Sequence, residues 1–286
     1  MTQITAGAVK ALRDRTGAGM MDCKRALIEA EGDAERAVDL LRKAGAAKAA
    51  KRVARDVSEG TIRIATRDGS ASMVEVLSET DFVVRSEAFE AFATELAERL
   101  FDVPLGDGQI LEGEALLGLD AASGGGSEIE DRLNELRVQV GENVRVGRAV
   151  RYDLGEGGAF ASYVHFGSRI GVLIEISQSS EEAVETARGI AMHAAATNPS
   201  GLSPEDIPAD VVERERALLT EQALEQGKPP SITEKIVEGR MRKFFEENAL
   251  LWQSYVRDPD LKVRDLLSGA GGDLAVRRFA RFEVGG

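Results

Sequence analysis

The chain is predicted to be an α+β protein in several parts: an N-terminal three-helix unit, a two-part antiparallel-sheet core with covering helices, and a protruding antiparallel helical hairpin. Three observations carry this. Apolar residues recur at helical spacing up to about residue 55, and from Gly60 the period changes to two. Strands followed by a covering helix then come twice, and two amphipathic helices arrive together at 204–248. The boundaries expected are 1–45 for the three-helix unit, 46–59 for a basic helical linker and 60–141 for one half of the core. The other half takes 142–203 and 249–286, with 204–248 as the hairpin.

In the first unit Thr5 is placed to cap a helix carrying Ala8, Val9 and Leu12 on one face, and Thr16-Gly17-Ala18-Gly19 breaks it. Met20-Met21 opens a second helix with Leu27 and Ile28 inward. Gly32 and Asp33 are stop and start, and Val38, Leu40 and Leu41 complete a third helix before Gly45. The alanine-rich stretch Ala46 to Arg55 carries Lys48, Lys51, Arg52 and Arg55, a positive helix face that reads as solvated.

Thr61–Thr66 and Ala71–Glu79 read as strands joined by Arg67-Asp68-Gly69-Ser70, a hairpin signal. Ser86 caps a helix bearing Phe89, Phe92, Ala93 and Leu96. The run Ser123-Gly124-Gly125-Gly126-Ser127 interrupts the chain, and a helix from Glu128 to Val140 ends at Gly141. Val146–Asp153, Ala159–His165 and Ile170–Ile176 are further strands, followed by a helix from Ser180 to Ala195; element order makes this a second α+β half. Helices Pro204–Gln226 and Ser231–Asn248 flank Gly227-Lys228-Pro229-Pro230. Val211 with Leu218, and Val212 with Leu219, recur at seven residues and face Ile232, Ile236, Met241 and Phe244. Leu274–Val284 alternates well enough to close a sheet.

Composition narrows the function. Hydrophobic residues make up 43% and charged residues 30%, a globular balance, and the net charge of −13 argues against a chain whose main business is nucleic acid. No apolar run reaches membrane-spanning length and the start lacks a secretory pattern, so a cytoplasmic location is expected. One cysteine, Cys23, and two histidines leave no His/Cys zinc site within one chain. No phosphate-loop, zinc-protease or nucleophile-elbow motif appears, and Cys23 beside Asp22 lacks a base. His193, in an alanine-rich helix, reads as a satisfied, partly buried imidazole. No cofactor is expected.

The most informative stretch is Leu77 to Ser86, where strand gives way to helix. An acid and a large aromatic, Asp81 and Phe82, stand at this junction, where a rigid scaffold presents residues to a partner. From spacing alone the favoured reading is blander: Phe82 folds back into the core and Asp81 starts a turn. His165, at a strand end beside a glycine turn, is also suited to partner contact.

The residues further resemble a known family. Val9-Lys10-Ala11-Leu12-Arg13-Asp14-Arg15-Thr16-Gly17-Ala18-Gly19-Met20-Met21-Asp22-Cys23-Lys24 is similar to the N-terminal signature of bacterial elongation factor Ts. Thr80-Asp81-Phe82-Val83, Ser162-Tyr163-Val164-His165, Arg169-Ile170-Gly171-Val172-Leu173 and Ile190-Ala191-Met192-His193-Ala194-Ala195 follow in family order. So do Gly227-Lys228-Pro229, Val237-Glu238-Gly239-Arg240-Met241 and Arg281-Phe282-Glu283-Val284-Gly285. The resemblance implies a guanine-nucleotide exchange factor for the GTPase elongation factor Tu, without covalent chemistry of its own. It implies a ubiquitin-associated-like first unit that docks on the partner's nucleotide domain through Arg13, Met20 and Met21. Thr80, Asp81, Phe82 and Val83 would act near the partner's Mg²⁺ site, and His165 would make a second contact. One-to-one complexes and dimers of heterodimers both stay open.

Departures are present too. Phe166-Gly167-Ser168 replaces a more glycine-rich turn, and Trp252-Gln253-Ser254-Tyr255 a proline-containing segment. Residues 123–127 read as a private loop, and an extra C-terminal helical module found in some relatives is expected to be missing. The competing function is an adaptor that binds protein ligands through the three-helix unit.

Overall fold

The computed structural model describes residues 4–52, 55–122, 128–225, 229–271 and 273–286. These fall into two units: Met1–Asp153 with Phe166–Arg169 and Phe282–Gly286, and Leu154–His165 with Ile170–Arg281. Both mix helices with antiparallel strands, the α+β class expected from the sequence.

The first unit opens with α1 (Ala6–Thr16), α2 (Met20–Glu29) and α3 (Ala34–Arg52). Thr5 caps α1, its hydroxyl accepting from the Ala8 amide at 3.2 Å, and Gly17 ends it at φ 66°, a left-handed geometry that a side chain would resist. Asp33 caps α3 by accepting from the Glu35 and Arg36 amides at 2.9 and 3.1 Å. Val9, Leu12, Cys23, Ala26, Leu27, Ala37 and Leu41 form a small core of their own. Ala8 and Ile28 turn outward instead of inward. The buried stripe of α2 runs Cys23, Ala26, Leu27, and Ile28 lies a further 100° round the helix axis. The third helix also runs through Gly45 to Arg52, since one mid-helix glycine costs only about 1 kcal/mol and its alanine neighbours favour helix. The side chains of Lys48, Lys51 and Arg52, and residues 53–54, lie outside the described residues.

The hairpin β1 (Glu59–Arg67) and β2 (Ser70–Ser78) turns at Asp68 and Gly69, with φ of 42° and 81°. Two consecutive positive φ angles give the turn whose twist matches a right-handed ribbon. A single helical turn, α4 (Asp81–Val84), leads into α5 (Glu87–Arg99), then β3 (Leu111–Glu112), α6 (Gly113–Ala122), α7 (Glu128–Val140) and β4 (Val144–Asp153). The sheet order is β1-β2-β4-β3. So β4, read from the sequence as opening the second half, pairs antiparallel with β2. Element order alone could not show this, because a strand returning from α7 can join either neighbour. The short β3 and α6 were not anticipated, and the glycine-serine run 123–127 lies outside the described residues. Phe89, Phe92, Leu96, Leu133 and Leu136 cover Val74, Val76, Val144 and Val146 on one face of the sheet. On the other face Glu75 is buried. It accepts from the Arg148 guanidinium at 3.0 Å and from the Gly285 amide at 3.1 Å, anchoring the last residues of the chain.

The second unit holds β5 (Ala159–Val164), β6 (Ile170–Ile176), α8 (Glu181–Thr197), α9 (Ala209–Glu225) and α10 (Pro230–Asn248). It continues with β7 (Ser254–Tyr255), β8 (Asp258–Lys262), α11 (Val263–Gly269) and β9 (Val276–Glu283), which adds to β6 in a sheet ordered β5-β6-β9. Ile190 and Ala194 of α8, with Val263 and Leu267 of α11, pack with Val172, Ile174 and Ile176 of the sheet. The helical pair closes on Leu219, Ala223, Val237 and Met241. Val212 and Leu219 are the heptad that packs. Leu218 and Ile232 face solvent, because only one stripe of each helix can meet the other. Gly227 and Lys228 lie outside the described residues.

Candidate partner-binding site

The strand-to-helix junction is a braced corner. Thr80 begins α4 with its hydroxyl accepting from the Val83 amide at 3.4 Å, while Ser86 donates to the Val83 carbonyl at 2.7 Å and caps α5. Across 62 residues of sequence, Glu142 reaches the same corner. Its carboxylate accepts from the Thr80 hydroxyl at 2.8 Å, the Thr80 amide at 3.1 Å and the Ser78 hydroxyl at 3.2 Å. One residue on, the Asn143 amide donates to Glu79 at 2.6 Å and its side chain donates to the Arg55 carbonyl at 2.8 Å. Backbone and caps are thus fixed from three directions. Neither Glu142 nor Asn143 stood out in the sequence. The only signal was their place just after the Gly141 helix stop.

On this support the four residues divide. Val83 is buried in the sheet core and roots the corner. Phe82, for which spacing favoured burial, has its side chain turned out and is 83% exposed. A single turn of helix puts successive residues 100° apart, so with Val83 inward the ring beside it has no room in the same core. Asp81 is also at the surface, paired with Arg85 one turn on at 2.8 Å. That exposed pair is worth only about 0.5 kcal/mol and can be exchanged readily.

The other sequence-chosen residues sit on separate elements. Arg13 lies in the last turn of α1, and Met20 and Met21 in the first turn of α2, all exposed and flanking the Gly17 turn. Exposed methionines suit an irregular apolar partner surface. In the second unit, exposed His165 directly follows β5, its amide donating to the Ile170 carbonyl at 2.9 Å and its Nδ1 lying 2.9 Å from the Tyr163 hydroxyl.

His193 is fully buried rather than partly so. Its Nε2 is 2.8 Å from the Gln253 amide oxygen, which also accepts from Thr197, and its Nδ1 accepts from the Val256 amide. Burial pushes its pKa below the usual 6.5, against a smaller upward pull from Gln253, so the neutral ring is the form that fits. Cys23 is buried with its thiol 3.6 Å from the Ala18 carbonyl, an inert setting. Among the described residues no group of three His, Cys, Asp or Glu side chains is placed to hold a metal ion, and no helix is long and apolar enough to cross a membrane.

Apolar side chains held outward on rigid supports suit a protein that docks on another macromolecule. Comparison with known proteins supplies the particular. The family model described as Elongation factor TS matches residues 79–286. Elongation factor Ts of Alkalilimnicola ehrlichii is 45% identical over 284 residues, spanning 99% of this chain and 92% of that protein, so the likeness includes the three-helix unit. The chain belongs to the elongation factor Ts family, the nucleotide exchange factor for elongation factor Tu in translation elongation.

Proposed function

We propose that the Thr80–Val83 corner is the part of the chain that drives GDP from elongation factor Tu, by disturbing the Mg²⁺ and phosphate site of the GTPase. No covalent bond is made or broken. GDP is held in such enzymes largely through its phosphates and the metal ion. A factor that binds the distorted, ion-poor state better than the GDP state weakens GDP by the factor by which GDP weakens it. Phe82 enters an apolar gap in that state, and Asp81 trades Arg85 for groups the distortion frees. Arg13, Met20 and Met21 dock the three-helix unit on the same partner, and His165 adds a further contact.

The observation that carries this reading is a phenylalanine 83% exposed on a corner fixed by Glu142. Burying roughly 170 Å² of ring at ~25 cal/mol/Å² is worth about 4 kcal/mol. Ordering and desolvation reduce that to ~2–3 kcal/mol, or roughly 30–150-fold. Fluorescent-GDP release from elongation factor Tu with Phe82→Ala tests it. The maximal release rate should fall by that factor while the variant melts like the wild-type protein. Wild-type release with binding intact refutes the wedge.

A further inference from the structure

Among the described residues, Phe166 is the most exposed large apolar side chain, at 96%. Single exposed apolar residues are common on protein surfaces and by themselves mean little. What sets Phe166 apart is the segment that carries it. The turn Phe166–Arg169 belongs to the first unit and is tied to it through Ser168 and Arg169. The Ser168 carbonyl accepts from the Ile62 amide at 2.6 Å, covering the free edge of β1, and the Arg169 carbonyl accepts from the Val284 amide at 2.8 Å. The Arg169 guanidinium pairs with Glu59 and donates to the Ser58 carbonyl at 3.3 Å. Gly167 and Ser168 turn the chain at φ of 82° and 56°. A ring on so fixed a turn loses little freedom when it docks, and such aromatic groups make hot spots.

Its location is specific as well. Glu59, which holds Arg169, pairs with Ser78 across the sheet, and Ser78 is the last residue of β2 before the Thr80 corner. The turn therefore braces the same end of the sheet from which α4 springs. The first unit thus carries two outward phenylalanines, Phe82 and Phe166, on two separately fixed supports.

The two differ in what accompanies the ring. Beside Phe82 stands Asp81, whose exposed ion pair is easily exchanged. On the Phe166 turn the Ser168 and Arg169 carbonyls and the Arg169 guanidinium are already engaged, while the ring stands out in water. A contact that holds the partner equally in its nucleotide states strengthens binding without raising the maximal rate.

We propose that Phe166 is a second aromatic anchor for elongation factor Tu, seated in an apolar depression of the GTPase, and that it sets affinity rather than the maximal rate of GDP release. This rests on the corner reading given above, with the same partner. The experiment titrates wild type, Phe82→Ala, Phe166→Ala and Phe166→Leu against elongation factor Tu loaded with fluorescent GDP, and fits both the maximal rate and the half-saturating concentration. Phe166→Ala should raise the half-saturating concentration about tenfold or more, leave the maximal rate within about twofold of wild type, and melt like wild type. Phe166→Leu should recover most of the loss. An unchanged half-saturating concentration for Phe166→Ala overturns the inference, as does a fall in maximal rate alone. If Phe82→Ala is impaired while Phe166→Ala matches wild type, the corner reading stands and only the second anchor fails. A wild-type protein that does not accelerate GDP release overturns both.

Discussion

Glu142 offers a test of whether the corner works because it is rigid. Its carboxylate accepts three hydrogen bonds, from Ser78 and twice from Thr80, and so ties the strand end to the start of the helical turn. Bonds to a charged acceptor are worth ~1.5–3 kcal/mol each when protected from water. Here the acceptor is only half-buried and water can replace it, so about 1 kcal/mol each is the fitting figure, or ~2–3 kcal/mol together. Glu142→Ala should then multiply the local opening equilibrium of the corner by roughly 30–150. The Val83 and Val84 amides report this directly, because they bond to the Thr80 hydroxyl and carbonyl at 3.4 and 3.3 Å. Their hydrogen exchange should accelerate by that factor while core amides such as those of β2 keep their protection. GDP release from elongation factor Tu should weaken in step once the open corner is the more populated form, since only the closed fraction presents Phe82. Glu142→Gln, which keeps one accepting oxygen, should fall between. Unchanged protection at Val83 and Val84 would mean the three bonds do not hold the corner. Lost protection with full exchange activity would mean that the function does not depend on its rigidity.

Two other expectations concern the scaffold. Because burial lowers the folded-state pKa of His193 below its unfolded value, stability is fully present above about pH 6.5. It is lost as pH falls through 6.5 toward the folded pKa, because the unfolded chain takes up the proton first. Melting temperature followed from pH 8 to pH 5 should decline for wild type and decline less for His193→Gln; parallel curves would show that His193 is not the group responsible. Gly60 sits where an added Cβ would meet the Val76 carbonyl across the hairpin and crowd Leu77. Gly60→Ala should destabilise the first unit by ~1–3 kcal/mol in urea titration, and a change within about 0.5 kcal/mol, the range of ordinary surface substitutions, would show that the hairpin can open to admit the methyl.

Local signals were the readable part of this fold. Thr5, Ser86 and Asp33 cap helices because a short polar side chain there satisfies amides that no helix can satisfy itself. Asp68-Gly69 makes the hairpin turn because few other pairs tolerate two positive φ angles. Long-range facts were not readable. Nothing near Val146 says that β4 will return to β2, and Glu142 gains its role only when the sheet brings it back to Thr80. Phe82 failed for a different reason. Periodicity assigns apolar residues to a core by the free energy of burial within the chain, and that rule has no term for burial in another chain. Ile28 and Leu218 failed for the plainer reason that each lies off the stripe its helix buries. The resemblance to a family implies a partner for Phe82, which periodicity cannot do, but gives no such hint for Phe166, which stands where the family's turn is richer in glycine.

The corner separates two properties that usually compete. Its backbone is held hard by Glu142, Thr80, Ser86 and the buried Val83, while its outward side chains are free or nearly so: Phe82 lies in water and Asp81 is committed only to an exposed partner one turn away. A flexible corner would have to be ordered on binding, at ~1–2 kcal/mol for each residue fixed, and four residues would consume all that the ring can contribute. A corner whose outward groups were already paired would gain little by meeting the partner. By linkage, the factor by which the protein weakens GDP equals the factor by which GDP weakens its own hold, so any ordering cost met only in the GDP-expelling state would subtract from exchange itself. In the role proposed for the corner, the prefixed backbone and unpartnered ring leave the interaction free energy of Phe82 for the one state of the GTPase that can receive it.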